Sequence, residues 1–465
     1  MTEPNYLKIS HPIFGSGVLL STRKSSINLQ TECLVRFDSG LQLWIPQHRL
    51  QGLPEESQDM VFEDGIILKG EALKLKAHRM IEAFRLGIVP TQDVSDFTFG
   101  RERETNIIAN ALTSLSEGKG GSMIIEGEYG TGKSHLLEYI RAIALKKNFV
   151  VSSVALSTQE TIPSRPKLVY RELLTNLRFY PQLPQTNQNT PELGFRDLLR
   201  AAAKQFQPPH YLGIKEHIFF APVLKRLNKI DDQSPKAEVF WQWIEAESTK
   251  EYAVGSTHQE KFASPYRISG AWQIPALYDF STAVDFYCYL ISGLSYLCRN
   301  LHYHGLVILL DEVETISFIY QNLAYERGIN FLEGLIKMAH NDQTLKHINK
   351  NMIHNQVRPT PYIYKDAYVL LVLTTTPEPA TLRIKHLSPN IINLQPLNEQ
   401  NLITCFENLV RYYQIAFPDL HLLNTTKEKI LHNALRYRDN GIRFFLKYSV
   451  ECLDTIRINR KLAVN

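Results

Sequence analysis

The sequence predicts an α/β fold in which helices flank a parallel sheet, and three apolar segments with distinctive carboxyl ends predict it. Residues 123–125 lead into a complete G-x-x-x-x-G-K-[ST] pattern at residues 127–134, which a helical pattern follows. Residues 306–310 are five consecutive apolar residues that end in an acid pair, and residues 368–373 are an apolar run that ends in threonines. Strands buried on both faces are typical of parallel sheets, which bind ligands at their carboxyl edge.

The pattern at residues 127–134 is a phosphate loop. Its three glycines allow the backbone to wrap a polyphosphate, with N–H groups pointing inward at the amino end of the next helix. We expect Lys133 to reach the β- and γ-phosphates and Ser134 to ligate Mg²⁺. The loop therefore predicts binding of ATP or GTP. The candidate nucleotide-binding residues of this segment are Gly127, Glu128, Tyr129, Gly130, Thr131, Gly132, Lys133, Ser134 and His135.

The acid pair after residues 306–310 supplies the candidate hydrolytic groups. Asp311 is expected to hold Mg²⁺, directly or through water, and Glu312 to polarise the attacking water as general base. Glu314 follows closely and is interpreted as a solvated or helix-starting acid. The pair extends the prediction from nucleotide binding to hydrolysis.

Two further candidate catalytic residues follow, one to sense the γ-phosphate and one to reach over the nucleotide. Thr375 is the candidate among the threonines at 374–376, although hydroxyl groups there also fit a cap for the following turn. Arg443 lies in the first turn of a helical pattern that follows a break at residues 439–441. It either swings over the nucleotide or stays on the surface.

Phosphate loop, acidic strand, polar strand and C-terminal helices, in this chain order, resemble an AAA+ ATPase of the initiator-like group with a helical lid. The stretch Phe-Gly-Arg-Glu-Arg-Glu at residues 99–104 is similar to the box that precedes the first strand in such ATPases and lines the adenine pocket. The resemblance implies a nucleotide contact for Arg101. Taken alone, the stretch is more typical of a charged turn ahead of a helix.

Residues 77–90 predict an amphipathic helix that Gly87 closes and Pro90 stops. This helix, the box and the phosphate loop, in that order, resemble the BrxD-type ATP-binding proteins of bacterial BREX phage-defence systems, over about residues 70–460. The resemblance implies an ATPase that converts ATP to ADP and phosphate with Mg²⁺, and that works beside other defence proteins such as a helicase. In an oligomeric AAA+ protein, the neighbouring subunit also contributes an arginine to the site. Arg383 is the candidate for this arginine here, and the sequence leaves open whether the protein forms a homo-oligomer.

Composition fits a soluble protein of two or three domains. The chain has 465 residues, 44% of them hydrophobic, which is enough for buried cores. No apolar run approaches the ~20 residues that span a bilayer, and the polar start is no signal peptide, so we expect a cytoplasmic protein without a membrane. The five cysteines are scattered and have no C-x-x-C spacing, which predicts neither disulfides nor zinc.

The net charge of +4 says little about partners, because nucleic-acid binding depends on local clustering. One basic cluster near the C-terminus is a candidate DNA contact, although cations near helix ends also favour the helix dipole and solubility. Its members are Arg436, Arg438, Arg443, Lys447, Arg457, Arg460 and Lys461.

The chain divides into four predicted segments. Residues 1–52 predict several short strands that form a small β-barrel, similar to the Tudor or SH3-like modules of some bacterial helicases. The aromatic residues Phe14, Phe37 and Trp44 fit the core of this barrel, and the less favoured alternative is a contact patch. Residues 53–70 form a linker, 71–395 the ATPase core, and 396–465 the helical lid. A large, mostly helical insertion at about 158–275 carries three tryptophans, and either has its own small core or offers a partner surface.

Two functions follow. The first is an ATP-hydrolysing AAA+ protein that acts on DNA or DNA-bound partners in anti-phage defence. The alternative is a signalling or assembly switch that binds ATP with little turnover. Both need Lys133, and only the first needs Glu312 for steady hydrolysis. A small-molecule kinase fits poorly, since no acceptor pocket is visible in the sequence and the N-terminal strands would be unexplained.

Overall fold

The computed structural model of the protein describes residues 8–11, 15–24, 31–38, 42–46, 60–61, 67–68, 70–91, 93–182, 191–230, 235–247, 277, 284–348 and 359–464. Two units make up the chain, Met1–Ala77 and His78–Asn465.

The first unit contains a four-stranded antiparallel sheet. Its strands are β1 (Lys8–His11), β2 (Gly15–Lys24), β3 (Thr31–Phe37) and β4 (Gln42–Pro46), in that spatial order. A short pair, β5 (Met60–Val61) and β6 (Ile67–Leu68), follows. The predicted strands are present, while their closure into a barrel stays a prediction. Phe37 is buried, in line with the core interpretation; Phe14 and the side chain of Trp44 lie outside the described residues.

The second unit is built on five further strands. These are β7 (Gly121–Glu126), β8 (Val150–Ala155), β9 (Leu306–Asp311), β10 (Val369–Thr375) and β11 (Asn390–Asn393). All neighbours are parallel, in the order β11-β7-β10-β9-β8. The predicted fold class, an α/β protein with a parallel sheet that carries the phosphate loop, is confirmed.

Helices cover both faces of this sheet and continue beyond it. Those before and around the first two sheet strands are α1 (Gly70–Leu86), α2 (Glu102–Ser116), α3 (Lys133–Lys146) and α4 (Pro166–Thr175). The insertion and the helices around the acidic strand are α5 (Phe195–Gln205), α6 (Phe220–Leu227), α7 (Pro235–Ile244), α8 (Val284–Asn300) and α9 (Asn322–Ala339). The helices of the segment predicted as the lid are α10 (Glu399–Ala416), α11 (Asn424–Leu435) and α12 (Ile442–Val464).

Two hydrophobic clusters lie on opposite faces of the sheet, because successive strand residues point to opposite sides. One face packs Met123 and Ile125 against α2 and α3. The other packs Ile308 and Leu310 against α4, α8, α9 and the helices of the insertion, including buried Trp241. The described helices of the insertion therefore share the core of the sheet.

An ion pair joins α1 to α12, the last helix of the predicted lid segment. The guanidinium of Arg85 binds both carboxylate oxygens of Asp454, at 2.8 and 3.0 Å, and the Tyr413 hydroxyl donates to the same carboxylate at 2.6 Å. As predicted, Gly87 ends α1, with a left-handed φ of +70°. No helix among the described residues is long and apolar enough to cross a bilayer.

Candidate nucleotide-binding site

The phosphate loop connects β7 to α3, and each of its glycines has a structural reason. Gly130 and Gly132 have left-handed φ values of +82° and +99°, which side chains disfavour. A β-carbon on Gly127 would lie 2.7 Å from the Thr131 hydroxyl and 2.9 Å from the Leu394 carbonyl oxygen. The loop therefore curls as a phosphate cradle requires, with the amino end of α3 opening into it.

Lys133 lies inside this loop. Its ammonium donates to the carbonyl oxygens of Gly127, at 2.7 Å, and Glu128, at 3.2 Å. The Thr131 hydroxyl also donates to Glu128, at 2.8 Å. These bonds hold a positive charge at the centre of the loop, where a polyphosphate needs one.

Asp311 is the centre of a hydrogen-bond group at the carboxyl edge of the sheet. Ser134 donates to one of its oxygens at 2.8 Å, and Thr374 donates to the other. The backbone N–H of Glu312 also donates to Asp311, at 3.0 Å. Leu373 pairs with Leu310 in the sheet, so Thr374 lies beside Asp311, the last residue of β9. The predicted metal ligands Ser134 and Asp311 are thus in contact at this edge.

Glu312 begins the turn after β9 in the left-handed region, with φ of 58° and ψ of 42°. Non-glycine residues rarely adopt this conformation, and it turns the chain sharply at the strand end. Burial raises the pKa of its carboxyl, and the charges of Asp311 and Glu314 raise it further, while Lys133 opposes them. A raised pKa makes Glu312 a stronger base than an ordinary glutamate.

Arg101 and His135 support the loop from its other side. Arg101 is 8% exposed and donates to the Thr131 carbonyl oxygen at 2.8 Å. His135 Nε2 lies 3.0 Å from the Thr98 hydroxyl. Burial lowers the pKa of His135 to about 4, with a smaller contribution from the charge of Arg101, so the imidazole is neutral at pH 7.

A cavity of about 230 Å³ joins these groups to the lid. Its lining includes the loop and the acid pair, the segment after α1 and the start of α12. Apolar lining residues include Phe84, Ile88, Val89, Pro90, Phe97, Phe99, Leu136, Leu397, Ile442, Phe444 and Leu446. One mixed cavity fits a nucleotide, which has an aromatic base and a charged tail.

Arg443 enters this cavity from the lid. Its Cγ and Cδ atoms pack against Gly87, where a β-carbon would lie 3.4 and 3.5 Å away. Just before it, Gly441 touches the phosphate loop at Gly130. The structure thus brings the loop, the acid pair and Arg443 around a single cavity.

Other sequence-predicted residues lie elsewhere. The Thr375 hydroxyl is buried and donates to the Thr376 carbonyl oxygen at 2.9 Å. Arg383 forms ion pairs with Glu326 and Glu333 of its own α9, at 2.8 and 3.0 Å. Tyr129, by contrast, lines the cavity, although 76% of its surface is exposed.

The predicted basic cluster is divided between different surroundings. Arg443 lines the cavity, Arg438 bonds Glu399 at 3.1 Å, and Arg457 stacks over the Phe417 ring at 4.2 Å. The side chains of Arg460 and Lys461 lie outside the described part of the chain. Arg436 and Lys447 remain as exposed lid cations.

Three site residues escaped the sequence reasoning. Thr374, rather than its neighbour, bonds Asp311, and Thr98 contacts His135. Glu314 lines the cavity, and one of its carboxylate oxygens is buried without a described hydrogen-bond partner. The alternation of side chains along β10 could have identified Thr374, because successive residues of a strand point to opposite faces of the sheet.

The donor set fits Mg²⁺. A serine hydroxyl and an aspartate carboxylate 2.8 Å apart are oxygen ligands of the kind this ion takes. The described residues contain no group of three or more histidine, cysteine, aspartate or glutamate side chains able to hold a metal. Mg²⁺ at phosphates uses only one or two protein ligands and completes its shell with water and substrate oxygens.

Comparison with known proteins gives one informative match. No curated protein matches the chain in sequence. The E. coli MS115-1 HORMA:CdnC:Trip13 complex is similar in structure at 10% identity, covering 74% of this chain and 76% of that one, with a TM-score of 0.31. Drosophila ORC bound to DNA is similar at 11% identity, covering 88% of this chain and 66% of that one, with a TM-score of 0.34. Structural similarities this weak do not support an assignment of function to this chain. Residues 73–185, which include the Arg101 box and the phosphate loop, match the family of BREX system ATP-binding proteins BrxC/D, and over this segment the resemblance seen in the sequence is confirmed.

Proposed function

We propose that this protein binds ATP with Mg²⁺, hydrolyses it, and acts on DNA or DNA-bound partners in bacterial anti-phage defence. The family match supports an ATP-binding role in a BREX system. Hydrolysis and DNA are our extension of that role.

The observation that carries hydrolysis is the bond between Ser134 and Asp311. It joins the phosphate loop to the acidic strand, and Glu312 follows at once. A loop without such an acid pair binds phosphates, whereas a loop joined to one also has a candidate base at the γ-phosphate end.

The residues divide the reaction between them. Loop N–H groups and Lys133 hold the phosphates, and Glu312 takes a proton from water as it attacks the γ-phosphorus. The bond from that phosphorus to the β–γ bridging oxygen breaks, and ADP leaves. Ser134 and Asp311 would hold Mg²⁺, which neutralises charge on the phosphate oxygens when bound. Arg443 lies at the cavity and adds a second cation. Closure of the lid would exclude bulk water.

The DNA part of the proposal depends on the lid. Arg436 and Lys447 are exposed there, and lysine and arginine side chains neutralise backbone phosphates. Double replacement of these two by alanine should weaken DNA binding and flatten its salt dependence. Replacement of exposed Lys119, on the core, serves as a control for the loss of a surface cation.

The central test is ATP turnover with and without DNA. We expect wild-type turnover, loss of turnover with retained ATP binding in Glu312→Gln, and loss of binding in Lys133→Ala. Lys147→Ala, an exposed lysine just after α3, should behave as wild type. Wild type that binds ATP but never turns it over would instead support the assembly switch, and wild type that binds no ATP would overturn both functions.

A further inference from the structure

We infer that the main-chain contact between Gly130 and Gly441 is a positioning device that holds Arg443 over the nucleotide. The inference rests on the proposed nucleotide binding. It assigns to Gly441 a role in the reaction although it has no side chain to touch substrate.

The two glycines meet without any side chain between them. A β-carbon on Gly441 would lie 2.8 Å from both the Cα and the carbonyl oxygen of Gly130. In the other direction, a β-carbon on Gly130 would lie 3.2 Å from Cα of Gly441 and 3.3 Å from the Asn440 carbonyl oxygen. Contacts below about 3.0 Å force something to move, so alanine at 441 cannot be accommodated with the lid in place.

The contact lies where it can set the position of Arg443. Gly441 joins the short 3-10 turn Arg438–Asn440 to α12, and Arg443 is in the first turn of that helix. On its other side the Arg443 side chain packs against Gly87. The start of α12 is thus placed by the phosphate loop on one side and by the end of α1 on the other.

The phosphate-loop pattern leaves position 130 open to other residues. The left-handed φ at Gly130 explains why glycine suits the loop, and the contact with Gly441 adds a second requirement there. Because backbone atoms have no rotamers to absorb a shift, a change in the loop when it takes up phosphate passes directly to the lid turn.

A double-mutant cycle on ATP affinity tests this role. We expect Gly441→Ala and Arg443→Ala each to weaken ATP binding roughly tenfold, about 1.4 kcal/mol. If Gly441 acts through Arg443, the double variant should bind ATP only roughly tenfold more weakly than wild type in total. The two effects are then not additive, because both act through the same side chain. Independent effects, roughly a hundredfold together, would overturn the inference.

Gly118→Ala is the matched control. Gly118 has a φ of +91°, against +90° for Gly441, but its nearest neighbour for a β-carbon is 3.6 Å away. Both variants place a β-carbon at a positive φ, and only Gly441→Ala creates a clash. Equal losses of ATP affinity in the two variants would mean that only the backbone conformation of Gly441 matters, which would contradict the inferred role of its contact with Gly130.

Hydrogen exchange in the wild type keeps the test decisive if Gly441→Ala fails to fold. ATP should slow exchange of the amides at residues 441–446, and adenosine, which lacks phosphates, should slow them much less. Equal protection by both ligands would contradict transmission from the phosphate loop. Wild type that binds no ATP would instead overturn the proposed function itself.

Discussion

Arg101 donates a 2.8 Å hydrogen bond to the carbonyl oxygen of Thr131, which lies 30 residues later in the phosphate loop. Burial lowers the pKa of this guanidinium, and Glu102 and Glu104 partly offset the effect. The arginine of the box therefore supports the loop, in addition to lining the cavity.

Replacement of Arg101 by methionine should destabilise both loop and fold. The Thr131 carbonyl would lose its donor, at a cost of about 1–3 kcal/mol in the free energy of unfolding, and ATP binding should weaken with it. Thermal unfolding and calorimetric titration with ATP measure the two effects. Arg103→Met, at an exposed position two residues on, should change neither; matching effects in both variants would contradict a specific role for Arg101.

Thr374 and Thr375 should differ as valine variants. Thr374→Val removes a hydrogen-bond donor to Asp311. We expect it to weaken Mg²⁺-dependent ATP binding and to lower the free energy of unfolding by about 1–2 kcal/mol. Thr375→Val removes only a bond to the adjacent Thr376 carbonyl. ATP titrations at several Mg²⁺ concentrations separate them, and a larger loss at Thr375 would favour the original sensor prediction.

The protein should lose stability in acid because of His217. Burial depresses the pKa of this imidazole to about 3, so the folded protein keeps it neutral while the unfolded chain takes up a proton below about 6.5. Stability should therefore fall as pH decreases from 6.5 towards 3, by about 2 kcal/mol at pH 5. His135, with a pKa of about 4, acts in the same direction.

Unfolding measured across pH checks this. His217 Nδ1 accepts from the N–H groups of Phe219 and Phe220, at 3.2 and 3.1 Å, so His217→Asn keeps an acceptor and removes the titration. Its pH slope should flatten even if its stability at pH 7 is lower. His347→Asn, at an exposed position, is the control, and an unchanged slope in His217→Asn would refute the assignment.

Trp241 tests whether the insertion folds with the sheet. Its side chain is 2% exposed, and Arg196 and Arg200 lie over its ring at 5.5 and 5.2 Å. Since its cluster includes sheet residues, Trp241→Ala should lower the stability of the His78–Asn465 unit by about 3–5 kcal/mol. Calorimetry should keep one transition for this unit. A separate early transition that spares ATP binding would mean that the insertion is an independent subdomain.

Much of the fold followed from local pattern. Apolar runs such as residues 306–310 predict buried strands because parallel strands lack a solvated face, and Gly87 predicts a helix end because of its left-handed φ. The phosphate loop and Asp311 were equally accessible, since their chemistry restricts residue types at fixed spacing.

What the sequence could not supply depends on contacts between distant segments. Thr374 bonds Asp311, 63 residues away, only because β9 and β10 are neighbours in a particular register. The Arg101 bond to the loop depends on how α2 packs. The sequence also could not decide whether the insertion has its own core or packs against the sheet, because tryptophans are buried in both arrangements.

The two-faced sheet has a consequence for how such a protein changes over time. The helix that follows the phosphate loop packs on one face, and the inserted helices pack on the other. The inserted layer is also linked directly to the phosphate-loop helix, because Arg141 of α3 forms an ion pair with Glu192 of the insertion. Lineages, or protein engineers, that diversify the layer therefore have to preserve both the shared core and this ion pair.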